Sequence, residues 1–201
     1  MIECPGSRPR FLLALFLVFL GGISWGCAPT LRWVPDTHTP EQPSCLPDRL
    51  LQWKDFVPKT PEDNRGAETA VRFSIDQPNR RIVVAFDPSH SWVKPELVYP
   101  QTSSHQRNSD HLLAHEQVHY LISCLVVRQA NRSPTTGENL SQMLSLVRSV
   151  AQRLNLQYDK ETQHGTQPAP QKFWQKEVMK QLVELSSSGK MSRLVRFPGT
   201  P

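Results

Sequence analysis

The stretch LLAHEQVHYLISC, Leu112 to Cys124, decides how this chain is read. It sets two histidines four residues apart, with a glutamate directly after the first, inside an otherwise apolar helical run. A helix turns about 100° per residue, so positions i and i+4 lie one above the other on a single face. Two imidazoles at that spacing can hold one zinc ion at about 2.0–2.1 Å. The motif is H-E-x-x-H. His115 and His119 are candidate metal ligands, and Glu116 stands where it can take a proton from zinc-bound water. Leu112 and Ile122 lie three residues outside the pair on the same face. That face therefore reads as buried, and buried imidazoles without partners are costly.

A catalytic zinc normally keeps three protein ligands and one open position. The run YLISCLVVRQ after His119 contains neither a glycine nor a third histidine, so the third ligand must come from elsewhere. The segment YDKETQHG, Tyr158 to Gly165, ends a second expected helix beside a glycine able to turn the chain. His164 is the first expectation as third ligand and Glu161 the second. Asp159 is expected either as a ligand or as a carboxylate that orients a metal-bound histidine from behind. Tyr158 has two readings: a hydrogen-bond donor to the oxyanion formed in peptide attack, or a core residue on the apolar stripe of its helix.

The rest of the chain frames these residues. Its 201 residues suffice for one domain with a real core and a processing segment. The segments Leu50–Val57, Ala67–Ile75 and Arg81–Phe86 have strand character, with Asp76-Gln-Pro-Asn79 a turn between the last two. An irregular stretch containing Ser91-Trp92-Val93 follows. Helices are expected over about 110–130, 137–161 and from Pro170, each with apolar residues recurring at threes and fours. The fold class is α+β: a small antiparallel sheet, then packed helices, the first carrying H-E-x-x-H. The domain is expected over 50–186, with a loose tail from 187.

The N-terminus reads as an export signal over residues 1–26. Arg8 and Arg10 flank the apolar block FLLALFLVFL, which with its tail is shorter than the roughly twenty residues of a spanning helix. Cleavage before Cys27 would leave a cysteine for lipidation; cleavage after Ala28 would give simple secretion. Residues 27–49 read as a Pro-rich tether. In an exported protein Cys45 and Cys124 are expected to form a disulfide. The net charge of +5 is mild and the basic residues are scattered, so no nucleic-acid partner is expected. Asn131-Arg-Ser and Asn139-Leu-Ser are glycosylation-like triplets. His111 falls on the face of His115 and is expected near an exposed helix start.

The combination of LLAHEQVHY and YDKETQHG, with LQWKDF and SWV upstream, resembles a family of bacterial secreted proteins of unknown function that are predicted zinc-dependent proteases. The resemblance runs from about Leu50 to Gly165. It implies a zincin-like fold, metal binding by His115, His119 and His164, and Glu116 as catalytic base. The leading expectation is thus a secreted or envelope-anchored zinc metallopeptidase acting on peptides or proteins. Its rivals are a non-catalytic envelope protein retaining a zinc site, and a helical domain without metal.

Overall fold

The computed structural model describes Cys45 and residues 50–62, 64–132 and 139–187. The expected signal segment, the tether apart from Cys45, and the tail beyond Ser187 lie outside these residues. The chain divides into two units, Met1–His38 and Thr39–Pro201, and every described residue belongs to the second.

Strands come first and helices after, so the α+β expectation holds. The sheet expectation needs correcting, because two small sheets form in place of one. In the first, β5 (Trp92–Val93) is central, parallel to β1 (Val57–Pro58) and antiparallel to β2 (Ala67–Glu68). The second is the antiparallel hairpin of β3 (Val71–Asp76) and β4 (Arg81–Phe86), with Val71 opposite Phe86. Its turn is closed by Asp76, which accepts hydrogen bonds from Asn79 and Arg81.

The local chemistry explains these differences. Asp55 accepts a hydrogen bond from the Gln52 N–H and so converts the expected strand at 50–57 into a 3-10 turn over Trp53–Asp55. Leu51 and Phe56 remain buried anchors. Ser91 is buried, and its hydroxyl accepts from the Ala70 N–H and donates to the Asp87 carbonyl. That bond takes Ala70 out of the strand, splitting β2 from β3, and leads the chain into β5.

A short α1 (Pro95–Val98) precedes α2 (Ser103–Ala130), α3 (Leu140–Thr162) and α4 (Pro168–Ser187). Helix α2 begins seven residues before the expected Asp110. Thr102 caps it by accepting the His105 N–H, and the polar run SHQRNS gave no apolar period to read. His111 therefore lies within the helix body, where its carbonyl accepts a hydrogen bond from Gln171 of α4. From His115 onward α2 is almost wholly buried, packed against α3, α4 and β4. At its end the Asn131 side chain accepts from the Ile82 N–H and donates to the Ile82 carbonyl. With its amide engaged on both sides, Asn131 is not free as a glycosylation acceptor in the folded chain. No helix among the described residues is long and apolar enough to cross a membrane.

The segment before β1 is fastened along the back of α2. Cys45 and Cys124 form the expected disulfide. The Leu51 N–H donates to Gln117 Oε1, and Trp53 Nε1 donates to Ser109. Edge-on ring contacts run from Trp53 through Phe56 and Phe86 to Tyr120. Because the bridge closes a loop of 79 residues, its removal is expected to lower the unfolding free energy by about 4 kcal/mol. Urea unfolding with and without reductant measures this, and coincident transitions would refute it.

Candidate metal centre

His115 and His119 point from α2 toward α3, where Asp159 meets them. Asp159 Oδ1 lies 3.1 Å from His115 Nε2 and 3.0 Å from His119 Nε2, and the two nitrogens are 3.1 Å apart. Ligands arranged tetrahedrally around zinc at 2.0–2.1 Å are separated by about 3.3 Å. The triangle is thus close to the size that one such ion would require.

Asn155, one turn before Asp159 on α3, sets the orientation of His119. Asn155 Oδ1 can only accept, so His119 Nδ1 donates to it at 2.8 Å. The Nε2 of a neutral His119 then carries a lone pair aimed at a carboxylate oxygen and a second ring nitrogen. Such an arrangement is repulsive unless a proton or a cation lies at its centre. His115 is held differently. Its ring stacks on Tyr158 at 4.6 Å, while Gly165 covers the ring so closely that a Cβ there would lie 2.9 Å from His115 Cγ. Gly165 also has φ +81°, a left-handed conformation that glycine adopts without strain.

The structure places Asp159, rather than His164, with the two histidines, and among the described residues these three form the group able to hold a metal ion. His164, the first expectation for the third ligand, lies outside this group, and Asp159, also an expected ligand, lies within it. Helix α3 ends at Thr162, and Gln163, His164 and Gly165 all turn left-handed. That turn leaves His164 72% exposed on the rim, with Nδ1 3.5 Å from Asp159 Oδ1. Glu161 is excluded by helix geometry. Two residues past Asp159 it points about 200° around α3, where it accepts hydrogen bonds from Trp174 Nε1 and Gln157. Tyr158 is a core residue, fully buried between His115 and Trp174.

Glu116 is also buried, and its Oε2 has no hydrogen-bond partner. A buried carboxylate oxygen left unpaired costs on the order of 1–3 kcal/mol. Thr69 steadies this part of α2 by donating to the Glu116 carbonyl at 3.3 Å. The site opens into a cleft of about 860 Å³. His115, Glu116 and His119 contribute to its floor, α3 forms one wall, and residues 64–69 with Val71 and Phe73 form the other.

The titration of the group is coupled. Burial lowers the pKa of His115. Burial opposes charge on His119 as well, but the Asp159 hydrogen bond and the charges of Glu116 and Asp159 outweigh it and raise its pKa. Burial pushes Asp159 upward, but hydrogen bonds from both histidines hold it well below the usual carboxylate range. The donor set of two imidazoles and one carboxylate, with an open side, suits a divalent transition metal.

No family model matches the chain, and neither a curated protein nor a solved structure matches it.

Two outcomes follow for metal binding. Asp159→Ala is expected to weaken zinc binding at least 100-fold in competition with a chelating dye, and His164→Ala less than 10-fold; the reverse order would return the third ligand to His164. Zinc must also displace the proton of His119, whose pKa is raised. Stability from the protonated His119 is therefore present at low pH and lost as pH rises through its folded pKa. Zinc affinity runs the opposite way, rising with pH through the raised pKa of His119, above the ordinary histidine range, with release of a proton. Calorimetry in buffers of different ionisation enthalpy measures that proton.

Proposed function

We propose that the protein is a zinc-dependent peptidase of a compartment outside the cytoplasm. One observation carries the reading. Three ligand atoms of the right chemistry converge at 3.0–3.1 Å at the base of an open cleft, beside a glutamate whose carboxylate has an unpaired oxygen. The resemblance of the two motifs to predicted secreted zinc-dependent proteases points the same way, as does the presence of H-E-x-x-H on helix α2 beside strand β2. The Cys45–Cys124 disulfide supports an oxidising compartment.

A peptide is the favoured substrate because of the cleft wall. Strand β2 is an edge strand of its sheet, and its residues line the cleft. An extended peptide laid along such an edge can be held by main-chain hydrogen bonds whatever its side chains.

Zinc bound by His115, His119 and Asp159 would supply Lewis acidity toward water and the scissile carbonyl. The chain supplies the rest. Glu116 takes the proton of the attacking water and passes it to the leaving amine. Asn155 fixes the ring of His119, and Tyr158 with Gly165 fixes that of His115, so the ligands need no rearrangement on binding. His164, on the rim beside Asp159, faces whatever occupies the cleft.

Glu116→Gln is expected to bind zinc with unchanged stoichiometry while kcat on a mixed peptide library falls about 10²–10⁴-fold. Elemental analysis and mass spectrometry of cleavage products read the two quantities. A wild-type zinc-loaded chain that cleaves no peptide in the library would sink the proposal.

A further inference from the structure

We infer that Arg148 forms a carboxylate-binding subsite at the far end of the cleft, so that the favoured substrates are peptides with an acidic group about four residues from the scissile bond. The inference rests on the peptidase reading and gives it a substrate class.

Two walls of the cleft measure the distance independently. On α3, Arg148, Gln152, Asn155 and Asp159 all line the cleft. Their spacing of four, three and four residues keeps them on one helical face. At 1.5 Å per residue, the eleven residues from Arg148 to the metal ligand Asp159 span about 16 Å. The opposite wall runs alongside. At the metal end, Thr69 bonds the Glu116 carbonyl; at the other end, Arg148 donates from Nη2 to the Phe73 carbonyl at 3.0 Å. The four residues from Thr69 to Phe73 cover at most about 13 Å. Both rulers describe a groove that an extended peptide would span with about four residues.

The attachment to Phe73 gives Arg148 a defined position. One arm of the guanidinium is tied to the β3 backbone, while the side chain stays exposed in the groove. A guanidinium offers five donors in a planar fork that matches a carboxylate bidentately. Between Arg148 and the metal ligands the groove is lined by uncharged residues of α3 (Ala151, Gln152, Asn155) and by Val71 and Phe73 opposite. Arg148 is therefore the charge that an incoming peptide meets at that end. The recognised group is a carboxylate, either an Asp or Glu side chain or the peptide's own C-terminus.

The test uses the full zinc-loaded chain and fluorogenic decapeptides of Ala and Leu carrying one Glu, Gln or Lys at each position in turn. Each is made with a free and with an amidated C-terminus. The expected result is a kcat/KM at least 10-fold higher for Glu than for Gln at one position about four residues from the cleaved bond. If a side chain is the group read, that ratio holds for free and amidated peptides alike; if the C-terminus is the group read, free peptides are instead cleaved with a kcat/KM at least 10-fold above amidated ones. Arg148→Met should bring either ratio to about 1, and Arg148→Glu should shift a side-chain preference to Lys. Both ratios near 1 in the wild type, or either one surviving in Arg148→Met, overturn the subsite. Should no peptide be cleaved at all, the peptidase reading fails separately. Fluorescence anisotropy of the same Glu peptides on zinc-loaded Glu116→Gln then decides the subsite, with 10-fold weaker binding after Arg148→Met supporting it and equal binding refuting it.

Discussion

The organisation of this protein turns on the contact of one carboxylate with two imidazoles. Asp159 Oδ1 and the Nε2 atoms of His115 and His119 stand within about 3 Å of one another at the junction of α2 and α3. Lone pairs so close repel, and a shared positive charge must hold them. Without metal, a proton on His119 meets that need, against the cost of burying it. A divalent cation meets it better, since it satisfies three donors at once. The polar group at the junction of α2 and α3 is therefore one that a shared proton or a bound cation stabilises.

The surrounding structure makes that contact rigid. Tyr158 and Gly165 both pack closely on the ring of His115, and Asn155 fixes the tautomer of His119. Behind α2, the disulfide, Gln117 and Ser109 hold the segment preceding β1 against the helix. That backing faces away from the cleft. It lets α2 be surrounded by protein along most of its length and still expose a single line of functional residues.

The sequence made half of this legible. A motif confined to one helical turn, such as His115-Glu116-x-x-His119, carries its own geometry, because i and i+4 share a face in any helix. The third ligand lies 40 residues further on, and its choice depends on the rotation of α3 about its axis. That rotation is set by burial of Val147, Ala151, Leu154 and Tyr158. A signal was nonetheless present. Asn155 and Asp159 are a second i, i+4 polar pair, beside the apolar stripe and facing the first. His164 drew attention as a histidine next to a glycine, yet the left-handed turn at 163–165 swings it to the rim. The strands were harder still. Two-residue strands have no period, and it is the hydroxyl of Ser91 and the carboxylate of Asp55 that decide where pairing stops and starts.

The same geometry bears on whether metal here serves structure or chemistry. A structural zinc site is closed by four protein ligands and sits away from solvent. Here three candidate ligands line an open cleft between α3 and β2. The nearest further donor, His164, is exposed and lies beyond the converging group. Glu116 adds a second argument. An Ala or Leu at that position would serve a structural site better, since an unpaired buried carboxylate oxygen destabilises the fold. The disulfide and the packed core behind α2 offset that cost.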